Sequence, residues 1–115
     1  MKLSRVRKIL KAEALWDFDL DTEILTACGA DLMSDVLAHI TEKSLLLTGL
    51  TSNQVIRTAE MLDLAGVVFV RGKRPGESII QIAKSKNIPL LVTDYPMYES
   101  CGLLYKEGLR GCSSM

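Results

Sequence analysis

Residues with chemical capacity collect in four short stretches, each of which follows an apolar run. They are Gly29-Ala30-Asp31, Thr48-Gly49-Leu50-Thr51, Arg71-Gly72-Lys73-Arg74 and Thr93-Asp94-Tyr95. Ser34, Thr48, Thr51 and Thr93 offer hydroxyls, Asn53 offers an amide, and Arg71, Lys73 and Arg74 offer positive charge. Gly49 and Gly72 allow the backbone to approach a ligand closely. Polar donors and cations where a strand runs into a helix suit a phosphate or a carboxylate. A plain reading stands beside this one. Thr48-Gly49 followed by Thr51 also makes a turn and a helix cap, and Arg71 to Arg74 also makes a solvated loop.

The patterns that would convert binding into catalysis are missing. Gly72-Lys73-Arg74-Pro75-Gly76-Glu77-Ser78 has letters of a phosphate loop but no lysine after its second glycine. Neither G-x-G-x-x-G nor G-x-S-x-G occurs. His39 stands alone, and Cys28, Cys101 and Cys112 have no metal-ligand spacing. No metal or other cofactor is expected. Asp31, Asp35 and Asp94 are scattered carboxylates, so no catalytic residue is expected either. Cys28 and Cys101 read as packed thiols and Cys112 as an exposed one.

Composition narrows the partners. Lys plus Arg equals Asp plus Glu at 14 each, which speaks against nucleic acid and against an anionic membrane surface. No apolar run is long enough to span a bilayer, and no signal segment follows Met1-Lys2-Leu3-Ser4-Arg5. An odd, dispersed set of cysteines fits reduced thiols in the cytoplasm. With 48% hydrophobic residues and only 5% aromatic, the chain builds an aliphatic core.

Periodicity then supplies the elements that position these stretches. Leu3, Val6, Ile9 and Leu10 predict a short amphipathic helix. Ala12 to Trp16 and Ile24 to Cys28 predict strands. Leu32, Val36 and Ile40 share a helix face, with Asp31 expected to cap it. Leu45 to Leu47, Gly66 to Val70 and Leu90 to Val92 predict buried strands. Thr51-Ser52-Asn53-Gln54 fits a capping box opening a helix through Val55, Ala59 and Leu62. Glu77 to Ser85 predicts another helix. Pro96 suits the first position of the last one, which Gly108 ends. The alternation from residue 24 onward predicts a single three-layer α/β domain: a mainly parallel sheet, helices on both faces, and a short N-terminal helix with an edge strand. Ligands of such sheets bind at the carboxyl ends of the strands, where the four polar stretches fall.

A family likeness is carried by five strings in order. They are Ser34-Asp35-Val36-Leu37-Ala38, Leu45-Leu46-Leu47-Thr48-Gly49-Leu50-Thr51, Val55-Ile56-Arg57-Thr58-Ala59-Glu60-Met61, Val67-Val68-Phe69-Val70-Arg71-Gly72-Lys73 and Ile88-Pro89-Leu90-Leu91. In this order and spacing the chain resembles small stand-alone members of the DRTGG-domain family, from about residue 3 to 107. The literal DRTGG string is absent. The resemblance implies a fold like the N-terminal domain of the kinase/phosphorylase acting on the phosphocarrier HPr. It implies a regulatory or assembly role and supplies no catalytic residues. That kinase's phosphate loop belongs to another domain.

The resulting expectation is a domain over residues 1–109 with a flexible tail over 110–115. It is a non-catalytic regulatory module, a homodimer or larger homo-oligomer, sensing an anionic metabolite or nucleotide. Ser34, Thr48, Gly49, Thr51, Asn53, Arg71, Gly72, Lys73 and Thr93 are the candidate ligand residues. The alternative is a ligand-free interaction module that docks on an enzyme, with Tyr95, Met97 and Tyr98 at the interface.

Overall fold

Leu45-Leu46-Leu47 and Val67-Val68-Phe69 lie side by side at the centre of a sheet, fully buried. In this computed structural model, which describes residues 1–112, the helices are α1 (Leu3–Leu10), α2 (Met33–His39), α3 (Asn53–Met61), α4 (Glu77–Ser85) and α5 (Met97–Lys106). The strands are β1 (Glu13–Ala14), β2 (Thr26–Gly29), β3 (Ser44–Thr48), β4 (Gly66–Phe69), β5 (Leu90–Val92) and β6 (Arg110–Gly111). They form one six-stranded sheet in the order β1-β5-β4-β3-β2-β6. Every pairing is parallel except the β1–β5 pairing at the edge. The expected three-layer architecture, with its N-terminal helix and edge strand, is the one observed.

Alternation along the strands splits the core in two. Leu46, Val67, Phe69, Leu90 and Val92 pack with residues of α2, α3 and α4. Leu45, Leu47, Val68 and Leu91 pack with Leu3, Val6 and Leu10 of α1 and Leu104 of α5. Covering both faces explains why the strands are apolar without a polar alternation. The chain steps from β2 to β5 in one direction with α2, α3 and α4 on one face. It then returns across the sheet through α5 to β6, beyond β2. Crossovers of constant hand require the return helix to lie on the opposite face, and α5 does.

Several local expectations change. Arg110 and Gly111, assigned to the tail, pair with Thr26 and Ala27 of β2. Residues 113–115 of that tail lie outside the described residues. Cys112 is half-buried rather than exposed, with Sγ 3.5 Å from Thr26 Oγ1 and 3.7 Å from the Ala27 carbonyl. Pro96 occupies the cap position of α5 rather than its first turn. The cap of α3 is Ser52, without a side-chain bond. Gln54 is then the second helical residue instead of the third, so the reciprocal bonds of a capping box cannot form. No helix among the described residues is long and apolar enough to cross a membrane.

Candidate functional site

The carboxyl ends of β2, β3, β4 and β5 do bring the four polar stretches to one edge, and register decides what each meets there. Gly29 pairs with Leu47, so two residues further on Asp31 stands beside Gly49. Its Oδ1 accepts the Gly49 N–H at 2.7 Å and the Thr48 hydroxyl at 3.1 Å. Thr48 Oγ1 in turn accepts the Leu50 N–H at 3.1 Å. A carboxylate of the chain itself thus occupies the donors that a bound anion would use. Asp31 is therefore a clasp on the β3–α3 turn and not the cap of α2, whose cap position belongs to Leu32.

The next turn is closed by backbone. Arg71 and Gly72 both take positive φ, at 59° and 67°. Both N–H groups of this turn are spent within the chain: the Arg71 N–H donates to the Tyr95 carbonyl at 2.9 Å and the Gly72 N–H to the Thr93 carbonyl at 2.8 Å. The connections leaving β4 and β5 go to opposite faces, which makes this the topological switch point where an open sheet has its crevice. Here the crevice is stitched shut. The hollow beside it, next to Lys11, Gly72, Arg74 and Asp94, holds about 170 Å³. That is below the roughly 300 Å³ of an ordinary small-molecule site.

The candidate residues divide accordingly. Thr48 is fully buried and bonded to Asp31. Thr93 is buried, and its hydroxyl donates to the Leu10 carbonyl at 2.7 Å, so it ties α1 to β5. Arg74, one of the cations at this edge, makes a bidentate pair with Glu13 at 3.0 Å on both arms. Ser34 is exposed in the first turn of α2 and makes no hydrogen bond to the turn among the described residues. Lys73, Gly49 and Asp31 do converge. A Cβ on Gly49 would lie 3.8 Å from Lys73 Cδ and 3.6 Å from Asp31 Oδ1. Arg71 is exposed, and neither it nor Lys73 has an acidic partner within 4 Å among the described residues. Thr51 and Asn53 lead into α3, which has no side-chain cap and no acidic residue in its first turn. That terminus carries partial positive charge.

Of the three expected interface residues, only Tyr98 is free surface. Tyr95 is half-buried, and its carbonyl holds Arg71. Met97 is half-buried against β2, its Sδ 3.0 Å from where a Gly29 Cβ would stand. Reading the sequence overlooked Asp31 as a clasp, since the signal lies in the β2–β3 register. It also overlooked Gly102 and Tyr105, which share an exposed face with Tyr98 at helical spacing.

Burial, with smaller contributions from Cys112, Cys101 and Asp35, pushes the Cys28 thiol up, and burial pushes Cys101 up. Both shifts favour the neutral thiol over the thiolate that a nucleophile needs. No group of three or more His, Cys, Asp and Glu side chains among the described residues could hold a metal ion.

Known proteins resemble this chain in fold. A crystal structure of the CBS and DRTGG domains of the regulatory region of Clostridium perfringens pyrophosphatase, complexed with its activator diadenosine tetraphosphate, superposes with a TM-score of 0.70 at 19% identity. The match covers 90% of this chain and 45% of that one, so this chain spans less than half of that relative. No curated protein matches. The family model described as the DRTGG domain matches residues 5–106, which is most of the chain, and the chain belongs to the DRTGG domain family.

Proposed function

We propose that the chain is a non-catalytic regulatory module, homo-oligomeric and cytoplasmic, which takes a nucleotide or another phosphorylated metabolite beside Lys73. The supporting observation is the convergence at Gly49. Lys73 crosses this glycine next to the uncapped, acid-free start of α3, with Arg71 exposed on the same loop. A phosphate beside Lys73 gains from that cation, from Arg71 on the same loop and from the positive end of a helix, against the opposing charge of Asp31. Asp31 keeps Oδ2 without a partner among the described residues, and that oxygen accepts a ligand hydroxyl. Phosphate and hydroxyl on one molecule describe a nucleotide better than inorganic phosphate. The pyrophosphatase relative, whose regulatory region is complexed with a dinucleotide, is consistent with this class.

Calorimetric titration with adenine nucleotides and diadenosine tetraphosphate tests the reading. A charge-assisted hydrogen bond contributes about 1.5–3 kcal/mol. Replacing Arg71→Ala and Lys73→Ala together therefore weakens binding at least tenfold, with inorganic phosphate binding more weakly than nucleotide throughout. Unchanged affinity in the double variant removes these residues from the site. Absence of binding by every nucleotide leaves the ligand-free interaction module, which the apolar hollow along α5 favours.

A further inference from the structure

On α5 the outward residues Tyr98, Gly102 and Tyr105 fall four and three positions apart and form one stripe. Tyr98 is 86% exposed and Tyr105 69%. Beside them a hollow of about 460 Å³ opens between α5 and the β2–β6 edge, walled by Ala27, Cys101, Leu104 and Leu109. Two aromatic rings beside an apolar hollow give one surface both knob and hole. A surface of that kind can meet a copy of itself across a twofold axis.

Gly102 adds an independent observation. Glycine inside a helix is unfavourable, and close approach by a neighbour is the usual reason for keeping one. Among the described residues nothing approaches, since a Cβ at Gly102 would have no atom within 4 Å. Charge then selects the occupant and its direction. α5 carries Glu99 in its first turn and Lys106 in its last, with Arg110 beside the hollow. A second copy packed antiparallel sets Glu99 near the partner's Lys106 twice, whereas parallel packing sets like charges together.

We propose that this face is a homodimer contact in which α5 packs antiparallel on the same helix of a second copy, with the twofold axis near Gly102. The proposal rests on the homo-oligomeric part of the reading above. Tyr98 and Tyr105 of each copy cover the bare helix at Gly102 and enter the other copy's hollow. Two tyrosines contribute roughly 300–500 Å² per copy. A standard interface takes about 800 Å² per partner, so the two tyrosines supply about half of one.

Sedimentation velocity on the full chain at micromolar concentration tests the contact. The wild type sediments as a dimer. Gly102→Arg sediments as a monomer and melts no lower than the wild type measured when diluted to monomer, because its Cβ enters open space. Glu99→Lys and Lys106→Glu each weaken the dimer about tenfold, and the double reversal restores it. A dimer that survives Gly102→Arg overturns this contact and leaves the homo-oligomer standing. Failure of the double reversal to restore affinity overturns the antiparallel arrangement. A monomeric wild type overturns both, whether the hollow then takes another protein or stays open.

Discussion

Replacing Asp31 separates the clasp from the cap. In the structure the carboxylate accepts two hydrogen bonds, from the Thr48 hydroxyl and the Gly49 N–H, at 3.1 and 2.7 Å. Bonds to a charged group contribute about 1.5–3 kcal/mol each when shielded. Asp31 is exposed, so solvent screening reduces the pair to about 2 kcal/mol in total. A chain of this length has an unfolding entropy of about 0.24 kcal/mol/K, and Asp31→Ala should therefore lower Tm by about 8 °C. Asp31→Ser is the decisive variant. Serine is among the best helix caps, so it would preserve stability if Asp31 capped α2. It is too short to reach across to Gly49, so a clasp is lost just as with alanine. Removing the carboxylate also frees the Gly49 N–H beside Lys73, and inorganic phosphate or sulfate should then bind more tightly. Melting followed by circular dichroism, with and without sulfate, reads both effects. A serine variant that melts within about 2 °C of wild type refutes the clasp.

Three further outcomes follow from the same geometry. Thr93→Val keeps the shape but leaves the Leu10 carbonyl unpaired, costing about 1–3 kcal/mol in urea unfolding, while nucleotide affinity stays unchanged; a neutral variant contradicts the buried bond. The hydrogen bond and charge of Arg74 hold the Glu13 carboxyl below its ordinary value near 4.5. Its contribution to stability is thus complete above that value and disappears as pH falls through the lowered folded one. Wild type and Glu13→Gln should differ in denaturation midpoint at neutral pH and converge in strong acid; a gap that persists in acid sinks the assignment. Burial raises Cys28 and Cys101, so iodoacetamide should alkylate both more slowly in the native protein than in the unfolded chain. Equal rates at neutral pH would contradict their packing.

Fold class was legible because its signals are local. The apolar run at Val67 to Phe69 and the stripe of Val55 and Ala59 each report their own burial, and their alternation implies a parallel sheet. The position of the polar edge followed from that alternation. Individual site residues were less legible. Thr93 and Thr48 read as surface hydroxyls at strand ends, yet both are buried and bonded within the chain. The capping-box letters at Thr51 and Gln54 were present, but α3 starts one residue later than they require.

The sequence by itself determined the five helices, the strands β1 to β5 and their order, the aliphatic two-sided core and the absence of familiar catalytic motifs, since these depend on residue type and spacing along the chain. Tertiary structure decided the contacts between distant segments. Pairing Gly29 with Leu47 brought Asp31 onto Gly49, the return through α5 added β6 beside β2, and the β4 and β5 turns closed the switch point with their own backbone. A strand's pattern records which face is buried. It does not record which neighbour it pairs with or in what register, because that choice is made by the packing of the whole sheet.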